Sequence, residues 1–171
     1  MFSLFRPTAC FDRLADIDLG EVRRLGYRVL LFDVDNTITC WNSGDIAPEV
    51  VRWFGWLREE NLHGCIISNN SAGRLQPLAD ELGLDFVAKA RKPLPFGYRQ
   101  AMRQMGGEQN TTLMIGDQLM TDILGANLAG ISSVLVTPID LSREFRWTYV
   151  NRRIEKLIRG PALAGVPRGH F

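Results

Sequence analysis

Short apolar runs alternate along the chain with longer stretches in which apolar residues recur at helical spacing. Such alternation is typical of βα units, which bury a parallel sheet between two layers of helices. The pattern therefore predicts a doubly wound, Rossmann-like α/β fold with about five parallel strands and helices on both faces. The predicted strands are Arg28–Phe32, Gly64–Ile67, Phe86–Ala88, Thr112–Ile115 and Ser133–Val136.

Helices are predicted between these strands. One begins at Pro48, because proline suits the first helical turn and because Val50, Phe54 and Leu57 form one apolar stripe. The others span about 71–82, 95–105 and 119–129, and a glycine follows each of them, as is common at helix ends. Pro77 inside the second of these helices predicts a kink or a later start.

Polar residues follow the predicted strands at the point where each strand ends. They are the Asp33/Asp35 pair, the Ser68-Asn69-Asn70 triplet, Lys92, and the Gly116-Asp117 pair. In open parallel sheets, ligands bind at the carboxyl ends of the strands. The sequence therefore predicts that these four segments converge on one crevice.

The first of these segments carries two carboxylates separated by one residue. Side chains alternate along a strand, so Asp33 and Asp35 should point the same way, with Val34 in the core. Two like charges held this close need a cation, a shared proton or a substrate charge. The alternative is a strand that runs into a turn, where Asp and Asn are favoured for local hydrogen bonding.

Length and composition indicate one domain over residues 1–171, since 46% of the residues are hydrophobic and the length suits a single core. The net charge of +1 conceals a basic segment, because residues 141–171 hold seven Lys or Arg and two Asp or Glu. Such a segment is suited to anionic lipid or to nucleic acid, or it is simply solvated. We expect no nucleic-acid partner, and the sequence carries no signal for an oligomeric state.

The cysteines and histidines indicate neither a zinc site nor a disulfide framework. Cys10, Cys40 and Cys65 lack metal-ligand spacing, and only His63 and His170 could join them. This cysteine usage fits a reducing compartment. No apolar run approaches the ~20 residues of a membrane-spanning helix. We therefore expect a protein of the cytoplasm that is soluble or peripheral at a membrane.

The strand-end segments together resemble the motifs of the haloacid dehalogenase (HAD) superfamily, in the same order and with similar spacing. A closer resemblance, over roughly residues 5–160, is to the YqeG-type family IIIA phosphatases. The matching segments are Asp33-Val34-Asp35-Asn36-Thr37, Ser68-Asn69-Asn70, Ala90-Arg91-Lys92-Pro93, and Gly116 to Asp122 followed by Leu124-Gly125-Ala126-Asn127. The resemblance implies a HAD-like sheet without a large cap domain.

The resemblance also implies a reaction, the hydrolysis of a phosphomonoester through an aspartyl-phosphate intermediate. A carboxylate can attack phosphorus, but its charge repels a phosphate, so a cation must lie between them; Mg²⁺ suits an all-oxygen site. By resemblance, Asp33 is the nucleophile and a metal ligand. Asp35 is the general acid and base and offers a backbone carbonyl to the metal.

The remaining site residues have implied supporting roles. Asp117 supplies a carboxylate to the metal, and Asp122 supports the metal site or ligates the ion itself; the helix dipole alone would also favour an acid at that position. Ser68 and the backbone N–H of Asn69 bind phosphoryl oxygens. Lys92 neutralises the charge that builds up there, in preference to the neighbouring cations Lys89 and Arg91. Thr37 orients Asp35 or its loop.

The substrate is less sharply indicated than the reaction. About thirty residues separate the first two predicted strands, which leaves no room for a cap and suggests an open site. Relatives by resemblance convert phosphatidylglycerophosphate to phosphatidylglycerol, so this phospholipid is one candidate. Alternatives are a soluble or macromolecular phosphomonoester, or a non-catalytic binding or assembly protein on a HAD scaffold. A phosphoacceptor switch is disfavoured, because such proteins lack an acid at the position of Asp35.

The basic segment from about residue 141 contains an amphipathic helical pattern. Its apolar stripe is formed by Trp147, Val150, Ile154, Leu157 and Ile158. Such a helix can lie on anionic lipid or dock on the protein's own sheet. We favour docking, which is the commoner arrangement.

Overall fold

The computed structural model describes residues 3–41, 43–140 and 157–171. Its strands form one parallel sheet of six, in the order β1-β6-β5-β2-β3-β4. They are β1 (Ala9–Phe11), β2 (Val29–Phe32), β3 (His63–Ile67), β4 (Asp85–Val87), β5 (Thr112–Gly116) and β6 (Ser132–Val136). The predicted fold class is confirmed, and the sheet gains β1, which the sequence pattern did not predict.

Helices cover both faces of the sheet. They are α1 (Leu19–Arg24), α2 (Pro48–Glu59), α3 (Ala72–Leu82), α4 (Pro95–Met105) and α5 (Leu124–Ala129). Pro77 lies inside α3, which begins at Ala72, so the predicted alternative of a later start is wrong. The predicted helix 119–129 is divided, because Leu119–Ile123 forms a π-helical turn before α5 begins.

The core has two main parts, because successive side chains of the buried strands point to opposite faces. On one face, Leu30 and Phe32 of β2 pack with Trp53 and Phe54 of α2. The Phe32 and Phe54 rings meet edge to face with centroids 4.9 Å apart. On the other face, the alternate residues of β2 pack with Tyr98 and other residues of α4. The apolar stripe predicted for α2 is thus a core stripe.

The central strand β2 carries the first polar segment to the carboxyl edge of the sheet. It lies between β3 and β5, and Phe32 is in register with Ile66 on one side and Ile115 on the other. The residues that follow these three positions therefore emerge side by side. Asp33 extends the pairing by one bond, since its N–H donates to the carbonyl of Ile115 at 3.0 Å.

The last described stretch, residues 157–171, returns to the β1 side of the sheet. The N–H of Cys10 donates to the carbonyl of Pro167 at 2.9 Å, and the N–H of Gly169 donates to the carbonyl of Cys10 at 2.8 Å. The Phe171 ring packs 5.5 Å from that of Phe11.

Only part of the predicted amphipathic tail stripe can be located. Ile158 packs against the small core cluster around Leu135, whereas Leu157 is 80% exposed. Trp147, Val150 and Ile154 lie outside the described residues. Among the helices that the structure describes, none is both long and apolar enough to cross a membrane.

Candidate active site

A buried ion triad lies at the carboxyl end of β2. The Nζ atom of Lys92 is 2.5 Å from Oδ1 of Asp33 and 2.7 Å from Oδ1 of Asp122. All three residues are buried. Charges removed from water in this way are tolerated only when they are paired and hydrogen-bonded. Lys92 therefore links the loop after β4 to the loops after β2 and β5.

The same place holds a cluster of three carboxylates. Asp33, Asp117 and Asp122 each offer one oxygen, and these oxygens lie within 4.8 Å of one another. Within the described parts of the chain, Oδ2 of Asp33 is buried and has no hydrogen-bond partner. Lys92 compensates only part of the negative charge. An all-oxygen set with excess negative charge and an unbonded oxygen fits a hard divalent cation.

Burial and mutual proximity change the proton affinities in this cluster. Burial raises the pKa of Asp33 to about 7; Lys92 opposes this rise, and Asp122 adds to it. Burial alone would lower the pKa of Lys92, but the carboxylates of Asp122 and Asp33 outweigh it and raise that pKa. Lys92 therefore stays an ammonium ion, while Asp33 is sensitive to the charge placed beside it.

Asp35 is bound by a different cation from Asp33. Nη2 of Arg74 lies 2.5 Å from Oδ1 of Asp35, and Nδ2 of Asn70 donates to Oδ2 at 2.7 Å. Val34 between the two acids is fully buried, as predicted. The two like charges are thus accommodated by separate partners, Lys92 for Asp33 and Arg74 for Asp35.

Arg74 is a site residue that sequence reasoning missed. It lies in the first turn of α3, which follows the polar triplet after β3. Because the first turn of such a helix starts at the carboxyl edge of the sheet, its position relative to Ser68-Asn69-Asn70 was the signal that could have identified it.

The side chain of Asn69 holds the backbone of Lys92. Its Oδ1 accepts the Lys92 N–H at 2.7 Å, and its Nδ2 donates to the Lys92 carbonyl at 3.2 Å. An amide side chain can do this because it carries both an acceptor and a donor. In the same loop, Lys89 and Arg91 are exposed, and both have positive φ angles, 48° and 56°. Of these three neighbouring cations, Lys92 reaches the acidic cluster.

Ser68, a predicted phosphate ligand, and Thr37, which was predicted to orient Asp35 or its loop, are both buried. Oγ of Ser68 accepts the N–H of Asn70 at 3.2 Å. The N–H of Thr37 donates to the carbonyl of Val34, which shapes the loop after β2. No described residue hydrogen-bonds the Thr37 hydroxyl, so its backbone rather than its side chain organises this loop.

Asp122 is placed by a close fit against Gly116. A Cβ atom added at Gly116 would lie 2.5 Å from Cγ of Asp122, which is well inside contact distance, so only glycine fits there. Oδ2 of Asp122 accepts the N–H of Gln118 at 3.1 Å. Tyr98 of α4 fixes the same π-helical turn, since its hydroxyl donates to the carbonyl of Thr121 at 2.9 Å. Sequence reasoning did not identify Tyr98.

Comparison with known proteins relates the chain to HAD-type phosphatases. A family model described as HAD-hydrolase-like matches residues 89–138. The chain is 32% identical to "Probable phosphatase YqeG" of Bacillus subtilis (strain 168), over 90% of this chain and 89% of that protein. It is 26% identical to "Phosphatidylglycerophosphate phosphatase 1, chloroplastic" of Chlamydomonas reinhardtii, over 90% of this chain but 61% of that enzyme.

A solved structure supports the fold alone. The crystal structure of a HAD phosphatase from Thermococcus onnurineus superposes with a TM-score of 0.58 at 14% identity, over 70% of this chain and 90% of that one. The core of that phosphatase therefore shares the arrangement of strands and helices described above.

Proposed function

The chain belongs to the YqeG-type phosphatases of the HAD superfamily, and on that premise we propose that it hydrolyses a phosphomonoester with Mg²⁺ through an aspartyl-phosphate on Asp33. The observation that carries the proposal is the buried cluster in which Lys92 contacts Asp33 while Asp117 and Asp122 lie within reach. A buried nucleophile paired with an ammonium and further acids suits phosphoryl transfer, which depends on positioning and on charge stabilisation.

The metal site of the proposal is built from residues that are already together. Asp33, Asp117 and Asp122 would hold the ion through their carboxylates. Asp35 would add its backbone carbonyl, as the family resemblance implies. When bound, Mg²⁺ would offset the repulsion between these carboxylates and the phosphate.

The chain's own residues would carry the chemical steps. A carboxylate oxygen of Asp33 forms a bond to phosphorus as the bond to the leaving oxygen breaks, and Asp35 gives that oxygen a proton. Asp35 then takes a proton from water, whose oxygen forms a bond to phosphorus as the bond between phosphorus and the Asp33 oxygen breaks, and inorganic phosphate is released. Each cycle therefore restores both acids.

The phosphoryl group would be held beside the metal site. Lys92 supplies a buried positive charge, while Ser68 and the backbone N–H of Asn69 supply hydrogen bonds to phosphoryl oxygens. Thr37 is proposed to support this pocket from the loop after β2. The side chain of Asn69 acts differently, because it fixes Lys92.

Phosphatidylglycerophosphate is the substrate we propose. The support comes from the algal relative's name and from the openness of the site, since β2 connects to α2 through residues 33–47 alone. The segment beside the site, formed by the loop after β4 and the first turn of α4, also favours a substrate in a membrane. Leu94 is 48% exposed and Phe96 is 68% exposed, and they follow the exposed cations Lys89 and Arg91. Exposed apolar groups next to cations suit the surface of an anionic bilayer.

A phosphatase panel tests the proposal. Release of inorganic phosphate is measured from phosphatidylglycerophosphate in mixed micelles and from soluble phosphomonoesters, with Mg²⁺ and with EDTA. We expect turnover of the lipid that EDTA and Asp33→Asn both abolish. Asp85→Asn, which neutralises an exposed acid on β4, serves as the matched control and should retain activity.

Two results would contradict different parts of the proposal. Turnover that persists in Asp33→Asn would refute the aspartyl-phosphate mechanism. Activity confined to soluble phosphomonoesters would refute the lipid substrate and leave the mechanism standing.

A further inference from the structure

The carboxylate of Asp35 is held on both oxygens before any substrate enters. Arg74 binds Oδ1 and Asn70 binds Oδ2, at 2.5 and 2.7 Å. The side chains of Arg74 and Asp35 are 23% and 20% exposed, so neither is sealed from solvent.

The position of Arg74 assigns it to one end of the substrate. Under the proposed function, the transferred phosphoryl group lies against Asp33 and Lys92, which are buried and already paired with each other. Asp35 serves the leaving oxygen. A cation that contacts Asp35 from the first turn of α3 therefore faces the leaving group and not the phosphoryl group.

We infer that Arg74 is a subsite for a second anion carried by the leaving group of the substrate. This inference rests on the proposed function. The guanidinium exchanges its contact with Asp35 for a phosphate-type anion of the substrate. The Asp35 carboxylate, no longer paired with the guanidinium, takes up a proton from water and as a carboxylic acid turns to the leaving oxygen. A guanidinium suits this exchange because its planar donors match carboxylate and phosphate oxygens alike.

The ligand class follows from this geometry. The preferred substrate is a phosphomonoester of an alcohol that bears a second phosphate, free or as a diester, a few bonds from the scissile oxygen. Phosphatidylglycerophosphate has this form, because a phosphodiester lies across the glycerol from its terminal phosphate. Phosphatidic acid lacks it, since its leaving group is the neutral diacylglycerol.

Two matched substrate pairs test the subsite. The lipid pair is phosphatidylglycerophosphate against phosphatidic acid in the same mixed micelles, and the soluble pair is glycerol 1,3-bisphosphate against glycerol 3-phosphate. We expect wild-type kcat/KM to favour the second anion by about tenfold or more, as one charge-assisted contact allows. The soluble pair tests whether the second anion alone produces the preference when no lipid is present.

Variants of Arg74 supply the decisive comparison. Arg74→Gln should lower kcat/KM by a much larger factor for glycerol 1,3-bisphosphate than for glycerol 3-phosphate, which leaves only the twofold statistical advantage of two equivalent phosphates. Arg74→Lys should keep part of the preference, because lysine keeps the positive charge but lacks the paired planar N–H donors of the guanidinium. Arg99→Gln, at an exposed position on α4, is the control and should keep all of it.

Binding provides a readout that does not depend on turnover. Calorimetric titration of Asp33→Asn should show tighter binding of glycerol 1,3-bisphosphate than of glycerol 3-phosphate, and adding Arg74→Gln should abolish the difference. An unchanged preference in Arg74→Gln overturns the inference. An equal loss of kcat/KM for both members of a substrate pair also overturns it, because Arg74 would then only position Asp35. Absence of turnover in the wild type would refute the proposed function, while the titration would still decide the subsite.

Discussion

Replacing Lys92 by methionine removes the ammonium between Asp33 and Asp122 while keeping a side chain of similar length. In the native protein this ammonium lies 2.5 Å from one carboxylate and 2.7 Å from the other. All three groups are buried, so water cannot take the place of the lost cation. The substitution therefore leaves two buried acids facing each other.

The size of the effect follows from this burial. Breaking a buried ion pair by removing one partner costs ~3–5 kcal/mol. For a domain of this length, each kcal/mol lowers the melting temperature by about 2–4 °C, so Lys92→Met should melt roughly 6–20 °C below the wild type. Asp122→Asn in the same protein should recover part of the loss, with a coupling energy of at least about 1 kcal/mol.

Urea unfolding in EDTA measures these differences in a double-mutant cycle, at about pH 8, where Asp33 of the wild type is ionised despite its raised pKa. Lys89→Met is the matched control, since it removes an exposed cation of the same loop and should cost less than about 0.5 kcal/mol. Phosphatase activity of Lys92→Met should fall by a factor of about 10²–10³. A Lys92→Met protein within about 1 kcal/mol of the wild type, with no coupling to Asp122, would refute the electrostatic reasoning.

Three further predictions concern the same residues. Because the pKa of Asp33 is raised from 3.8 to about 7 in the folded protein, its contribution favours folding most at low pH, and the metal-free protein should lose stability as pH rises through about 7. The rise in melting temperature that Mg²⁺ induces should grow over the same pH interval, because the ion competes with the proton for Asp33. Scanning fluorimetry with and without Mg²⁺ measures both pH dependences. An Mg²⁺ effect that does not change with pH would contradict this reasoning. Asn69→Ala deletes both hydrogen bonds to the Lys92 backbone and should cost about 1–3 kcal/mol in urea unfolding and lower kcat; an unchanged kcat would show that this clamp is dispensable. Asp35→Asn should accumulate phosphorylated protein, visible by mass spectrometry after acid quenching, and rapid turnover without such a species would exclude Asp35 as the base.

The sequence predicted that these polar segments converge, because their positions follow from the order of strands and loops. Asp33, Lys92 and Asp117 each come shortly after a buried apolar run, and parallel strands bring such positions to one edge. The structure brings all three together with Asp122. The pairing of Lys92 with two acids was harder to predict from the sequence. It depends on the conformation of the loop after β4, which the periodicity of apolar residues does not determine.

The elements and residues that the sequence did not predict were missed for local reasons. β1 and α1 are too short for a period to be read, and β1 is stabilised by its pairing with β6 rather than by its own sequence. The predicted helix 119–129 opens with a π-helical turn, where Asp122 folds back to accept the Gln118 N–H. Arg74 was missed because an arginine in a helix reads as a surface residue. Its contact with Asp35 joins positions 39 residues apart.

The two edges of the sheet limit pairing with further strands in different ways. On the β1 side, residues 167–169 occupy the backbone groups of Cys10 that would otherwise face solvent. On the β4 side, the strand is only three residues long and carries the exposed Asp85. Unpaired strand edges are templates for self-association, and short or covered edges prevent it. Within the part of the chain that the structure describes, both features therefore disfavour pairing of this sheet with an edge strand of another molecule.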